Sequence, residues 1–321
     1  MLGRRVIYYL GRRVAIVLVS LFGASVAVFA VLGILPGSPA QVILGTQATP
    51  KAVRQLSAQL GTNKPLWVQY LHWAHGLLVL RLGRSYVSQQ PIGPLIAHAL
   101  SVTGPLILFA LVVGALVALP LGLGGALHNG KAVGTLLGGL SQIGIAVPTF
   151  VGGILLIIVF AVALPVFPSS GFPGWSQPGQ ALRSLVLPAI TLGLVEGAIL
   201  SRYVRASVLD QLHSDYLRTA RSKGLSRARA LWRHGMRNAM VPLVTVLGLE
   251  LAALIVGAII VENVFSLPGV GQLLLNAVDD RDLLMVQDIV ILVAAVVLVI
   301  NLLVDLSYRL LDPRVREEGQ R

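Results

Sequence analysis

The chain has 321 residues, of which 55% are hydrophobic and 12% charged, with a formal net charge of +12. Soluble globular domains carry about twice that charged fraction, so too little polar surface is available to clothe a soluble enzyme. The abundance of apolar side chains equally excludes a disordered chain. A strong positive charge suits a nucleic-acid partner, but long charge-free runs separate these bases, which argues against nucleic acid. Residues 1–195 contain no Asp or Glu, whereas residues 196–321 hold all 13 acids and 14 of the 25 bases. Cysteine is absent, which excludes disulfides, thiol chemistry and Cys-ligated metal.

A helix crosses the ~30 Å bilayer core with about 20 apolar residues. On that criterion the sequence predicts an all-α integral membrane protein with six transmembrane helices. The first covers 14–35, after Arg12-Arg13 and before Pro36-Gly37. Its 22 residues are too long for a signal-peptide core, and the small-residue cleavage pattern is missing. The others are expected at Leu100–Leu127, Val133–Leu164, Leu185–Ser201, Ala239–Val261 and Leu284–Tyr308. The terminus side collects 18 Lys and Arg and the other side 7, so both termini are expected in the cytoplasm. This gives a cytoplasmic segment 1–13, an extracytoplasmic loop 36–99, a five-helix core 100–310 carrying a cytoplasmic segment 202–237, and a cytoplasmic tail 311–321.

In the loop, Pro50–Leu60 reads as a short helix, with Thr49 as N-cap, Pro at the first position and Gly61 past the end. Trp67, Tyr70 and Trp73 recur every three residues and predict an amphipathic helix at the membrane interface. His72 and His75 have metal-ligand spacing, but no acid or cysteine nearby completes a site; no metal and no cofactor is expected. In 202–237, Leu209–Lys223 reads as a helix closed by Gly224, and Ser226 as the N-cap of a second helix reaching about His234. Further on, Ser266-Leu267-Pro268-Gly269 marks a turn, a helix is expected through Leu273–Ala277, and Asp279, Asp280, Arg281 and Asp282 read as a solvated face.

Gly125–Lys131 matches a phosphate-loop spacing, but Ala132 stands where Ser or Thr must bind Mg²⁺, and no strand precedes it. No other nucleotide-hydrolysing motif is visible, so energy for any active transport must come from a partner or an ion gradient. Within the spans, Pro105, Pro120, Pro148, Pro188 and Pro242 kink or start helices, and Gly134/Gly138 and Gly193/Gly197 permit close helix approach. Glu196 and Glu250 fall at bilayer depth, where a carboxylate costs at least ~2.5 kcal/mol and lines a pathway or pairs. Asp305 lies near a span end, placed to pair with Arg309 at i+4.

The segments Asp215–Ser226 (DYLRTARSKGLS) and Arg233–Pro242 (RHGMRNAMVP) resemble the cytoplasmic signature of binding-protein-dependent ABC importer permeases. The family's Glu-Ala-Ala stretch corresponds to Arg218-Thr219-Ala220, with its glycine at Gly224. Leu60–Tyr70, Leu82–Ser85 and Val261–Gly271 with Arg281-Asp282 resemble outer loops of the first permease of dipeptide/oligopeptide importers. Asn63 and Arg81 stand where such relatives often carry Asp, and Glu250 where Gln is usual.

The resemblance implies the type I ABC importer permease fold in the bacterial inner membrane. It also implies a homologous second permease, two ATPase subunits, an extracytoplasmic binding protein and peptide substrate, with membrane lipid around the spans. Tyr216, Arg218, Thr219, Ala220, Lys223, Gly224 and Leu225 would couple to the ATPase, and Glu196 and Glu250 would line the pathway. A related importer for nickel, glutathione or another small solute, and a self-contained proton-coupled transporter, remain alternatives.

Overall fold

The computed structural model describes residues 2–34, 38–45 and 48–311, with side chains between 11 and 307. The expected stop at Leu35-Pro36-Gly37, the tail 312–321, and the side chains of Arg4, Arg5, Tyr308 and Arg309 lie outside the described residues. Helices account for nearly all regular structure: α1 (Leu2–Ile34), α2 (Pro39–Leu44), α3 (Pro50–Leu60), α4 (Leu66–Leu78), α5 (Ile92–Leu127), α6 (Ala132–Ala146), α7 (Thr149–Ile157), α8 (Pro178–Leu212), α9 (Asp215–Ser222), α10 (Arg227–Ala230), α11 (Met236–Val264), α12 (Val270–Asp279) and α13 (Leu283–Leu311).

Five helices are long and apolar enough to cross a membrane: Gly11–Ile34, Ile92–Leu127, Pro178–Leu212, Arg227–Val264 and Leu283–Ser307. The sixth expected span is not straight. α6 and α7, the latter continued by a π-helical turn Ile158–Ala163, meet at an angle of 96°. Pro148 causes the break: it has no N–H to donate, and Val147 before it is extended at ψ 119°. The count of six therefore holds when the bent pair is taken as one span.

Helix ends also differ from the sequence reading. α1 begins at Leu2, inside the segment expected to precede the first span. α5 begins at Ile92 rather than Leu100, with Pro94 in its first turn, where a missing N–H is harmless. The helix expected at Leu209–Lys223 is two helices, because α8 continues to Leu212 and the chain breaks at His213-Ser214 before α9. Ser226 does cap α10, accepting from the Arg229 amide, but that helix does not stop near His234. It passes through a π-helical turn, Leu231–Gly235, straight into α11.

The chain divides into two compact units, Met1–Val102 with Pro268–Leu302, and Thr103–Leu267 with Leu303–Arg321. In the first, Phe29 of α1 stacks on Trp73 at 6.0 Å and meets Tyr70 edge-on at 5.4 Å, while the Tyr70 hydroxyl bonds Ser25 at 2.9 Å. Thus α4 buries Trp73 against α1 and leaves Trp67 exposed. Its core gathers Ile92, Ile96 and Ala99 of α5, Val270 and Ala277 of α12, and Met285, Val286 and Ile289 of α13. Asp282 is 2% exposed, not part of a solvated face. It accepts from the Ser85 hydroxyl and from the Tyr86 amide at 3.2 Å, and its position just before α13 makes it that helix's cap. Burial, reinforced by the neighbouring Asp282 and Asp288, raises the Tyr86 phenol above its usual value, so it stays a neutral donor at neutral pH.

In the second unit, glycines bring α5 and α8 into near-backbone contact. A Cβ at Gly193 would lie 2.5 Å from Val113 Cβ, and one at Gly197 would lie 2.6 Å from Val117 Cβ and 2.8 Å from the Gly114 carbonyl oxygen. Gly122 is as tightly placed against Val204. Gly197→Leu is expected to destabilise the folded chain by about 1–3 kcal/mol or more through overpacking. Gly139→Leu, where a Cβ meets nothing within 4 Å, should leave the thermal midpoint in detergent unchanged.

Candidate coupling surface and intramembrane carboxyl pair

The second unit ends in a polar knob built on one apolar anchor. Leu217, fully buried, is the inward residue of the eight-residue α9. It joins Val204, Val208 and Leu212 of α8, Ala230 and Leu231 of the α10 turn, and Ala239 of α11. Gly235 fits closely beneath it, since a Cβ there would meet Leu217 Cδ1 at 3.0 Å. The Tyr216 hydroxyl adds a polar tether, donating to Gln211 Oε1 at 2.6 Å and accepting from Asn238 Nδ2 at 3.3 Å.

The sequence-predicted coupling residues divide accordingly. Tyr216, Arg218, Thr219, Lys223 and Gly224 are exposed on the outer side of the knob. Ala220 and Leu225 are half-buried and pack against the Leu217 cluster, so they hold the element rather than present a surface. Gly224 has φ +90° with open space around its Cα. Its conformation favours glycine, yet a side chain there would point into solvent rather than into the fold. Around the knob stand Arg221, Arg229 and Arg233, also exposed, which give it a basic face.

Glu196 and Glu250, 54 residues apart in sequence, are brought together by α8 and α11. Their carboxyls lie close enough to interact. Two carboxylates so placed repel each other when both are charged. Glu196 is 5% exposed, and its Oε1 has no hydrogen-bond partner; Gly114 makes room for its stem, with Cβ and Cγ 3.6 Å from where a Gly114 Cβ would be. Glu250 is half-buried. Two further buried acids went unsuspected, Glu262 and Asp288; Glu262, fully buried, accepts from Thr103 Oγ1 at 2.6 Å. Acid placed beside apolar residues was the one available signal for both. Among the described residues no three His, Asp or Glu side chains converge on a metal-sized site, His72 and His75 included.

This geometry accords with what the chain is similar to. Residues 6–104 match the N-terminal family, and residues 110–317 the main family, described as the inner membrane component of binding-protein-dependent transport systems. The dipeptide transport system permease protein DppB of Escherichia coli (strain K12) is 34% identical over 96% of this chain and 98% of its own length. A protein of Sinorhizobium fredii named "probable peptide ABC transporter permease protein" is 36% identical over 96% of this chain and 99% of its own. Among solved structures, an amino acid ABC transporter crystallised with histidines superposes with a TM-score of 0.51 at 20% identity, over 67% of this chain and 94% of that one.

The chain belongs to the family of inner membrane components of binding-protein-dependent transport systems. It has the type I ABC importer permease fold and is a multi-pass protein of the bacterial inner membrane. Leu217→Ala is expected to remove about 2–5 kcal/mol of packing, more than an eight-residue helix can supply by itself. Hydrogen exchange should then accelerate across 215–223 but not across α8, while Arg218→Ala leaves both unchanged.

Proposed function

We propose that the chain is one transmembrane subunit of an ATP-driven importer of di- or oligopeptides. It pairs with a homologous permease, two ATPase subunits and an extracytoplasmic binding protein. The observation that carries this reading is the α9 knob: a short helix with an exposed basic and aromatic face, fixed by Leu217 to the ends of two spans. The names of near-full-length relatives supply the peptide substrate. The positive-inside count places both termini and the segment 202–237 in the cytoplasm, where an ATPase is found.

The mechanism follows from stiffness. ATP closing a pair of ATPases moves whatever is docked in them. α9 is joined to α8 through two residues and to α11 through an unbroken run from Arg227. A displacement of α9 is thus delivered to both spans that carry Glu196 and Glu250. Tyr216, Arg218, Thr219, Lys223 and Gly224 form the docked face, and Ala220 and Leu225 seat it. The carboxyl pair lines the pathway between the permeases, and negative charge on it favours substrates bearing a free amine.

Two outcomes test this. Gly224→Trp, whose side chain meets open space although the backbone at φ +90° is strained, should insert normally, yet lower peptide uptake at least tenfold and reduce stimulation of the ATPase by binding protein, while Gly224→Ala, with the same strain and no bulk, keeps most uptake; normal uptake by the Trp variant refutes the docking role. Glu250→Gln should slow uptake of cationic peptides more than of neutral or anionic ones. Equal rates for all three classes refute the pathway role.

A further inference from the structure

The first unit holds a cavity of about 1050 Å³ that the coupling and pathway readings leave unused. It is a half-open cleft bounded by the end of α1, by α2 and α3, by α4, by the 81–89 loop and by the start of α13. Its lining has two chemically distinct parts. One is Asp288, 1% exposed. Its Oδ1 accepts from the Trp73 indole at 2.8 Å, and its Oδ2 has no partner at all. A buried carboxyl oxygen without a partner is costly, and such groups mark a missing donor. The Trp73 ring beside it, stacked on Phe29, also lines the cavity, and aromatic faces attract cations. The other part is basic: Lys64, Arg81 and Arg84, all exposed, line the same cavity. Arg84 is held there by donating to the Gln89 carbonyl oxygen at 3.1 Å.

A simple cation would meet Asp288 but be repelled by three bases, and a simple anion would leave Oδ2 unpaired. We infer that the cavity binds a small zwitterion, its ammonium group directed to Asp288 and the Trp73 ring and its anionic group to Lys64, Arg81 and Arg84. The volume accommodates a ligand of dipeptide size or larger. The same ammonium-plus-anion chemistry is presented by a free amino acid or peptide and by a phosphoethanolamine lipid headgroup. The site stands on the first unit alone and does not depend on the transport reading.

The test is calorimetric titration of the full chain in nanodiscs of phosphatidylglycerol, a lipid with no ammonium group. The probes are Ala-Ala, N-acetyl-Ala-Ala, glycerophosphoethanolamine and glycerophosphate. Saturable binding is expected for one or both zwitterions, and at least tenfold weaker binding for the two analogues lacking an ammonium. Binding of Ala-Ala identifies a soluble ligand, and binding of glycerophosphoethanolamine alone a lipid headgroup. Asp288→Asn, which keeps an acceptor for Trp73, should weaken binding at least tenfold. Arg81→Gln, at an exposed position, should weaken it severalfold without changing the thermal midpoint. The inference is overturned if neither zwitterion binds, if the acetylated or ammonium-free probes bind equally, or if Glu250→Gln abolishes binding while Asp288→Asn does not.

Discussion

Lipid offers no reward for pressing one apolar helix against another, because the tails solvate Leu and Val as well as a neighbouring helix does. Packing in the membrane therefore depends on how closely atoms approach, and here α8 is approached closely by both α5 and α6. Gly193 and Gly197 leave so little space that α5 rests on the α8 backbone, with Val113 and Val117 where side chains would otherwise stand. Gly144 of α6 fits against Ala198 in the same way, at 2.7 Å for a hypothetical Cβ. Much of α8 is buried as a result, while α1 exposes most of its flank. Everything attached to α8 inherits this fixed position: Glu196 in its middle and the α9 knob at its end.

That arrangement explains why a short polar helix can transmit force. An isolated eight-residue helix is marginal in water, and α9 has no caps strong enough to change that; Ser214 makes no capping bond. Its order comes from Leu217, set among residues of α8, the α10 turn and α11. Exposed residues other than Tyr216, which tethers the knob to Gln211 and Asn238, can then vary with the partner without loss of the element. The inward-facing Ala220 and Leu225 belong to the support instead.

Local features were legible in the sequence, and long-range ones were not. Thr49, Pro50 and Gly61 specified α3 to the residue, because capping is decided within one turn: Thr49 Oγ1 accepts from the Ala52 amide, and Gly61 sits at φ 72°. The spans followed from apolar length. The break at Ser214 was hidden because the helical pattern continues on both sides of it, although Ser-Asp is itself a helix start. The 96° bend at Pro148 was hidden because apolar content says nothing of direction. Asp282 read as solvated because its three neighbours in the run 279–282 are all charged; only folding brings Ser85 and Tyr86 to it. For Glu196 and Glu250 the sequence marked each residue and could not indicate that they touch.

The uneven charge of the chain takes its meaning from these contacts. All 13 acids lie beyond residue 195, yet several of the buried ones are held by residues from the acid-free part. Thr103 donates to Glu262, Ser85 to Asp282 and Trp73 to Asp288. Each donor is a neutral hydroxyl or indole. A neutral donor satisfies an acceptor without a second charge having to be stripped of water, a cost that often exceeds the attraction of a buried ion pair. Neutral donors also leave the acid's charge to be answered by something else. For Asp282 the backbone amides of Tyr86 and Met285 add two further donors, which offset the cost of enclosing a charge. Glu196 and Asp288 each retain an oxygen with no partner, and those two lie where a proton or a ligand's ammonium group can complete them.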